Sequence, residues 1–151
     1  MGVDLIRDTA QVSKTSMYRL FGSKSSLIEA VLIKRHAQFV EGLTNIVVGT
    51  TKEKLKRLLD WHFEWFAQEH FRGCMFMHTL AEFNSSDELI TQQALIHKLW
   101  LKHFIENSLE IPERNAELLL TFIEGLIVRA EFKQLSAVDS YYQAAESLAF
   151  S

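Results

Sequence analysis

Pro112 is the one proline in a chain of 151 residues, and only six glycines accompany it. With so few positions that break a helix, the chain favours long helices over a strand-and-turn architecture. Apolar residues make up 48% of the sequence, with 11 phenylalanines among them. That proportion supports a folded core and argues against a disordered tail. At this length the core fills one domain, or one domain with a small appendage.

Cys74 is the single cysteine, so no intrachain disulfide can form. The opening residues, MGVDLIRDTAQV, show no basic and apolar secretory pattern. Together these point to a reducing cytoplasm. The most apolar stretch, Leu118 to Val128, contains Glu124 and is too short to cross a bilayer. The net charge of −3 is unevenly spread. Residues 1–40 carry six Lys or Arg against Asp4, Asp8 and Glu29, a balance of +3, and the rest of the chain carries −6. A basic head on an acidic body suits a nucleic-acid reader with a separate second module.

Apolar spacing predicts an all-α chain. The opening forty residues read as three helices. The first spans Val3 to Ala10, and Gln11-Val12-Ser13 interrupts it. Ser13 suits the N-cap of a short helix through Phe21, with Met17, Leu20 and Phe21 as its buried stripe. Gly22 suits its end, and Ser23 the cap of a longer helix from about Lys24 to Val47. Leu27, Ile28, Val31 and Leu32 form the inner face of that helix. Further helices are predicted from Lys52 to Glu69, from Cys74 to Phe83, and for about twenty residues to Asn107. Asn84 to Asp87 reads as a turn and cap. Pro112 belongs in the first turn of a helix running to about Leu135, and Ala137 to Ala149 forms the last.

Residues 3–32, VDLIRDTAQVSKTSMYRLFGSKSSLIEAVL, closely resemble the helix-turn-helix of the bacterial TetR/AcrR family of transcriptional regulators. Val12-Ser13-Lys14, Met17-Tyr18-Arg19, Phe21, Ser23-Lys24 and Leu27 to Leu32 carry the match. Two weaker echoes follow. Arg72-Gly73-Cys74 opens an apolar helix similar to the family's sixth, and Phe122 to Phe132 is similar to its eighth. Gln11 departs from the family's usual turn glycine. Met1 falls at the start of the family's second helix, so the resemblance implies that the first helix is missing. The apolar faces of Leu5, Ile6, Met17 and Leu27 then lose a cover worth about 1.5–3 kcal/mol per side chain. Residues 1–22 are therefore expected to be the least ordered part.

The resemblance implies two domains: residues 1–40 as a helix-turn-helix DNA-binding domain, and residues 41–151 as a helical effector-binding and dimerisation domain. It implies double-stranded, palindromic operator DNA as partner. Lys14, Thr15 and Ser16, with Arg19 nearby, would meet base edges, while Tyr18 and Lys24 would meet phosphate. Tyr18 equally suits the edge of a core, Lys14 and Arg19 equally suit solvated surface, and Ser13 suits a cap better than a contact.

For the C-terminal helices the resemblance implies a small-molecule chamber and a two-fold homodimer. The residues agree with a chamber: Trp61, Trp65, Phe66, Met75, Phe76, Met77, Phe83, Trp100, Phe104 and Phe122 make an aromatic, Met-rich set. His62, His78, His97 and Arg129 are the candidate polar groups, so an uncharged lipophilic or aromatic effector is expected. Any one of these rings also suits plain core packing. The helix after Pro112 carries more than one apolar stripe. Leu119, Phe122, Ile123, Leu126 and Ile127, with Tyr141, Tyr142, Ala145 and Leu148 of the last helix, are the expected dimer residues. Gly125 would let two helices approach closely.

His70, Cys74 and His78 sit at four-residue spacing, but Arg72-Gly73 separates two helices, so no metal is expected. No nucleophile–base pair, phosphate loop or acidic dyad stands at a recognisable spacing, and neither an enzyme nor a cofactor is expected. The expected function is a one-component regulator, a repressor released by its effector. The alternative is a helical ligand-binding and dimerisation module that no longer binds DNA.

Overall fold

The computed structural model describes residues 23–83 and 87–151, and every regular element among them is an α-helix. In chain order these are α1 (Lys24–Ile46), α2 (Thr51–Phe66), α3 (Met75–Phe83), α4 (Glu88–Leu109), α5 (Glu113–Glu131) and α6 (Val138–Phe150). The two helices expected before Gly22, the low order expected of residues 1–22, and the turn at 84–86 lie outside the described residues.

Local chemistry accounts for the helix starts. The Ser23 hydroxyl accepts from Ser26 N–H at 3.1 Å and caps α1 as expected. Thr50 opens α2 with a reciprocal capping box. Its hydroxyl accepts from Glu53 N–H at 3.2 Å, and the Glu53 carboxylate accepts from Thr50 N–H at 2.7 Å. Those hydrogen bonds hold the Glu53 carboxyl below the usual carboxylate range. Gly49 precedes this box at φ +107, and a Cβ there would stand 2.4 Å from the Glu53 carboxylate. Asp87 caps α4 by accepting from Leu89 and Ile90 N–H at 3.1 and 3.3 Å. The carbonyl of Pro112 receives the Asn115 and Ala116 N–H groups, so the proline is the N-cap itself and its missing N–H costs no helix bond.

Two helix ends differ from the pattern-based boundaries. The sequence predicts α4 to stop near Asn107 and α5 near Leu135. Instead α4 reaches Leu109, where Glu110 turns left-handed at φ +54 and Ile111 N–H bonds back to Glu106 O. The C-terminal stop of α5 comes after Glu131, where Lys133 takes φ +58 while Lys133 and Gln134 N–H bond to Ala130 and Arg129 O. Both are C-terminal left-handed caps of the kind usually made with glycine. No glycine marks them here. The α2 helix likewise ends at Phe66, three residues short of Glu69.

The chain forms two compact units. The first combines the described residues up to Phe39 with those of Met75–His97. Its buried side chains are Leu27, Ile28, Leu32 and Phe39 on α1, Phe76 and Thr79 on α3, and Ile90, Ala94 and His97 on α4. Ser25 donates to Asp87, which with the N–H of Ile90 lowers the Asp87 carboxyl. The second unit comprises Val40–Cys74 and Lys98–Ser151, with α2, α5 and α6 packed on one another. Leu55, Leu58, Leu59, His62 and Trp65 supply the buried face of α2. Ala116, Leu119, Ile123, Leu126 and Ile127 supply that of α5, and Ala145 and Ala149 that of α6. The two alanines keep the α6 face flat, which suits close helix approach. Asn115 ties α5 to the end of α6 by donating to Ala149 O at 3.1 Å and to Ser151 O at 3.3 Å. No described helix is long and apolar enough to cross a membrane.

Candidate functional site

Of the six expected DNA-binding residues, Lys14, Thr15, Ser16, Tyr18 and Arg19 lie outside the described residues. Lys24 is the first residue of α1, directly behind the Ser23 cap. Its side chain is 42% exposed, 3.7 Å from Glu82 and 5.4 Å from the centre of the Phe83 ring. It therefore stands at the positive end of a 23-residue helix, where free N–H groups and the helix dipole favour an anion.

The expected ligand residues divide between the two units. Phe76, His78 and His97 belong to the first. Phe76 is buried and stacks on His97 with ring centres 3.7 Å apart and planes within 6°. The Nδ1 atoms of His97 and His36 meet at 3.0 Å, and Phe39 packs edge-on at 4.8 Å. Burial pushes the His36 imidazole below its ordinary pKa, and a hydrogen bond between two Nδ1 atoms requires one ring to donate and the other to accept. His78 is exposed on α3.

The second unit holds the remaining eight. His62 is buried at 2% exposure, with Trp61, Trp65 and Phe66 around it at ring-centre distances of 5.1, 6.2 and 6.2 Å. Phe71, which the sequence reading passed over, packs edge-on against Trp65 at 5.1 Å. A Cβ on Gly42 would stand 3.1 Å from the Trp61 Nε1, so the small residue on α1 makes room for the indole. Trp100 and Phe104 stack along α4 at 4.9 Å. Phe122 is half-buried and tilts toward Tyr141 at 6.4 Å. Arg129 is exposed and acts on the Tyr141 hydroxyl, which the N–H of Ser136 chiefly holds below its usual pKa.

A charged cluster in this unit was missed. Lys98 reaches from α4 to Glu124 on α5 at 3.1 Å and to the sulfur of Cys74 at 3.5 Å. Both charges are largely sheltered, at 24% and 32% side-chain exposure, and Cys74 is buried. The signal was present: Glu124 interrupts the most apolar run of the sequence, and Lys98 stands between Ile96 and Leu99. His70 and His78, which share the four-residue spacing with Cys74, are both exposed.

Among the expected dimer residues, Leu119, Ile123, Leu126, Ile127 and Ala145 are buried within the chain itself. Phe122, Tyr141, Tyr142 and Leu148 are half-buried. The Tyr142 hydroxyl donates to Asp60 on α2, and its pKa is raised by burial and then by that carboxylate. Leu118, Gly125, Arg129 and Phe132 form the opposite, open face of α5, with Phe132 at 69% exposure.

Two solved structures share this fold. A chain assigned as a TetR transcriptional regulator from Streptomyces avermitilis superposes with a TM-score of 0.75 at 23% identity, over 99% of this chain and 87% of its own. A TetR-family transcriptional regulator from Streptomyces coelicolor superposes with a TM-score of 0.77 at 18% identity, over 98% of this chain and 82% of its own. No protein-family model matches the sequence, and no curated protein matches it significantly. The fold is that of TetR-family regulators.

Proposed function

We propose that the chain is a TetR-type one-component transcriptional regulator: a homodimeric repressor that binds palindromic double-stranded DNA and is released by a small lipophilic or aromatic effector. In this reading Lys14, Thr15 and Ser16, with Arg19 nearby, meet base edges, while Tyr18 and Lys24 fix the register on phosphate. The effector acts by binding one arrangement of the dimer more tightly than the other.

The observation that carries the reading is Lys24. A half-exposed ammonium at the N-terminal residue of a capped helix is a ready phosphate contact, and it stands on the first helix described after the helix-turn-helix motif. The dimer is supported by the open face of α5. A helical glycine costs about 1 kcal/mol against alanine, yet a Cβ on Gly125 would meet nothing within 4 Å. No packing among the described residues accounts for the glycine. A second helix lying across Leu118, Gly125 and Phe132 would.

The test is a mobility shift on the DNA upstream of the protein's own gene, over a salt series. The expected result is a shift that weakens as salt rises. Lys24→Ala should lower affinity for all sequences alike and reduce the logarithmic salt slope by about 1. One observation favours the rival, a ligand-binding and dimerisation module without DNA binding: Lys24 already has Glu82 and Phe83 beside it. A dimeric protein that shifts no upstream DNA at low salt would decide for that rival.

A further inference from the structure

The geometry points to an autoinhibitory contact: the Glu82 carboxylate, in the last turn of α3, holds the place at Lys24 that a DNA phosphate would take. This role for Glu82 rests on the regulator reading, in which Lys24 meets phosphate. Glu82 then acts as a brake that sets how tightly the protein holds any duplex.

Lys24 is the first residue of α1, directly behind the Ser23 cap. A cation there adds to the positive end of the helix dipole instead of offsetting it, so this point calls for an anion. The first turn of α1 contains no acidic residue to supply one. The supply comes from α3, whose Glu82 Oε1 lies 3.7 Å from the Lys24 ammonium. The end of α3 complements the start of α1. It carries the negative end of a helix dipole and has no basic residue in its own last turn. Phe83 adds its ring face, with the centre 5.4 Å from the same ammonium. Carboxylate and ring together thus offer Lys24, within the first unit, what a phosphate would offer from outside.

Neither partner is loosely placed. The α3 helix is anchored by Phe76 and Thr79, both fully buried, and Phe76 stacks flat on His97. The Ser23 hydroxyl anchors the start of α1. The pair therefore forms between backbones that are already fixed, which lowers its cost. An arriving phosphate has two courses. It can displace Glu82, or it can share the ammonium and bring a second negative charge close to the first, where like charges repel. Either course weakens binding. The two side chains are 42% and 32% exposed, so water screens the pair and the brake is a modest one. An ion pair that only stabilised the fold would leave DNA affinity unchanged when broken.

The test is a double-mutant cycle on the whole chain: wild type, Glu82→Gln, Lys24→Ala and the two together. Mobility shifts are measured on the upstream duplex and on a scrambled duplex, over a salt series. Glu82→Gln removes the charge and keeps the shape of the side chain. It is expected to bind about two- to fivefold more tightly than the wild type, the range that one exposed ion pair supplies. The gain should be equal on both duplexes, because phosphate contacts carry no sequence information. It should shrink as salt screens the pair, and it should vanish in the Lys24→Ala background. Unchanged or weaker binding by Glu82→Gln overturns the inference. So does an equal gain with and without Lys24, which would report only the loss of one negative charge from the protein. If the wild type shifts DNA and Glu82→Gln gains nothing, this inference alone falls. A wild type that shifts nothing beside a Glu82→Gln variant that does would support the brake. If none of the four proteins shifts DNA at low salt, the regulator reading falls and the brake falls with it.

Discussion

His62 and His97 are both almost wholly buried, at 2% and 1% exposure, but the two compact units hold them in different ways. In the second unit a backbone carbonyl fixes the proton of His62, and Asn115 is likewise spent on the carbonyls of Ala149 and Ser151. In the first unit His97 leans on another side chain, the Nδ1 of His36, and on the flat face of Phe76. A carbonyl cannot change its role, whereas an imidazole can exchange donor for acceptor. His62 and Asn115 therefore have one assignment each, while His97 and His36 share a proton between two rings. The difference shows that equal burial does not mean equal chemical freedom.

The largest expected effect tests whether packing of α2, α5 and α6 secures the second unit. Leu119→Ala should cost about 2–5 kcal/mol, because the side chain is completely buried and its neighbours cannot fully close the gap. Its neighbour Leu118, 42% exposed, should cost under about 1 kcal/mol when changed to alanine. Urea unfolding of the two variants checks this. Sedimentation of Leu118→Ala, at falling concentration, asks in addition whether the open face of α5 holds a second copy. Equal losses for the two leucines would remove the distinction between the faces.

Next comes pH. Because the folded pKa of His62 is lowered to about 4, the unfolded chain binds the proton more readily between about pH 6.5 and that value. The contribution of His62 to stability is thus complete above its unfolded pKa and is lost as the pH falls toward 4. The loss amounts to about 3 kcal/mol across the window. Subtracting the urea-derived stability of His62→Phe from that of the wild type at each pH isolates it. A pH-independent difference would mean that the imidazole is not held neutral, and the contrast with His97 would weaken.

Asn115→Ala should cost about 1–3 kcal/mol, by stranding the Ala149 carbonyl and freeing the end of α6. Hydrogen exchange localised to α6 would distinguish this from a general loss. The smallest effect compares the two caps. Thr50→Ala breaks a reciprocal box and should cost about 1 kcal/mol, and Ser23→Ala, which removes one backbone bond, about half as much. The reverse order in thermal melts would show that α1 depends on its cap more than α2 does.

Much of this architecture was legible beforehand. The 3.6-residue spacing puts Leu55, Leu58, Leu59, His62, Phe63 and Phe66 on one face of α2; the first four are buried, Phe63 and Phe66 are half-buried, and Trp65, which the spacing puts on another face, is buried. Ser23 and Asp87 were readable as caps because a cap needs only its own short side chain and the next turn. The exact helix ends were less readable. The reading of α5 ran on to Leu135 because nothing in Phe132-Lys133-Gln134 resembles a stop. The aromatic residues were recognised as a set, but not that Phe76 and His97 belong with α1 while Trp61 and His62 belong with α5 and α6. The pairing of Lys98 with Glu124 joins residues on two helices, and no periodicity within either helix reports it.

What the chain's order of residues determined alone was the all-helical plan, most of the helix starts and the resemblance of its opening to a DNA-reading motif. These depend on spacing within a few turns, where backbone geometry translates position directly into direction. Tertiary packing decided which polar groups share an interior, and where Glu110 and Lys133 take up a left-handed backbone that local preference disfavours. Such choices are settled by the sum of many distant contacts, which outweighs a local cost of about 1 kcal/mol.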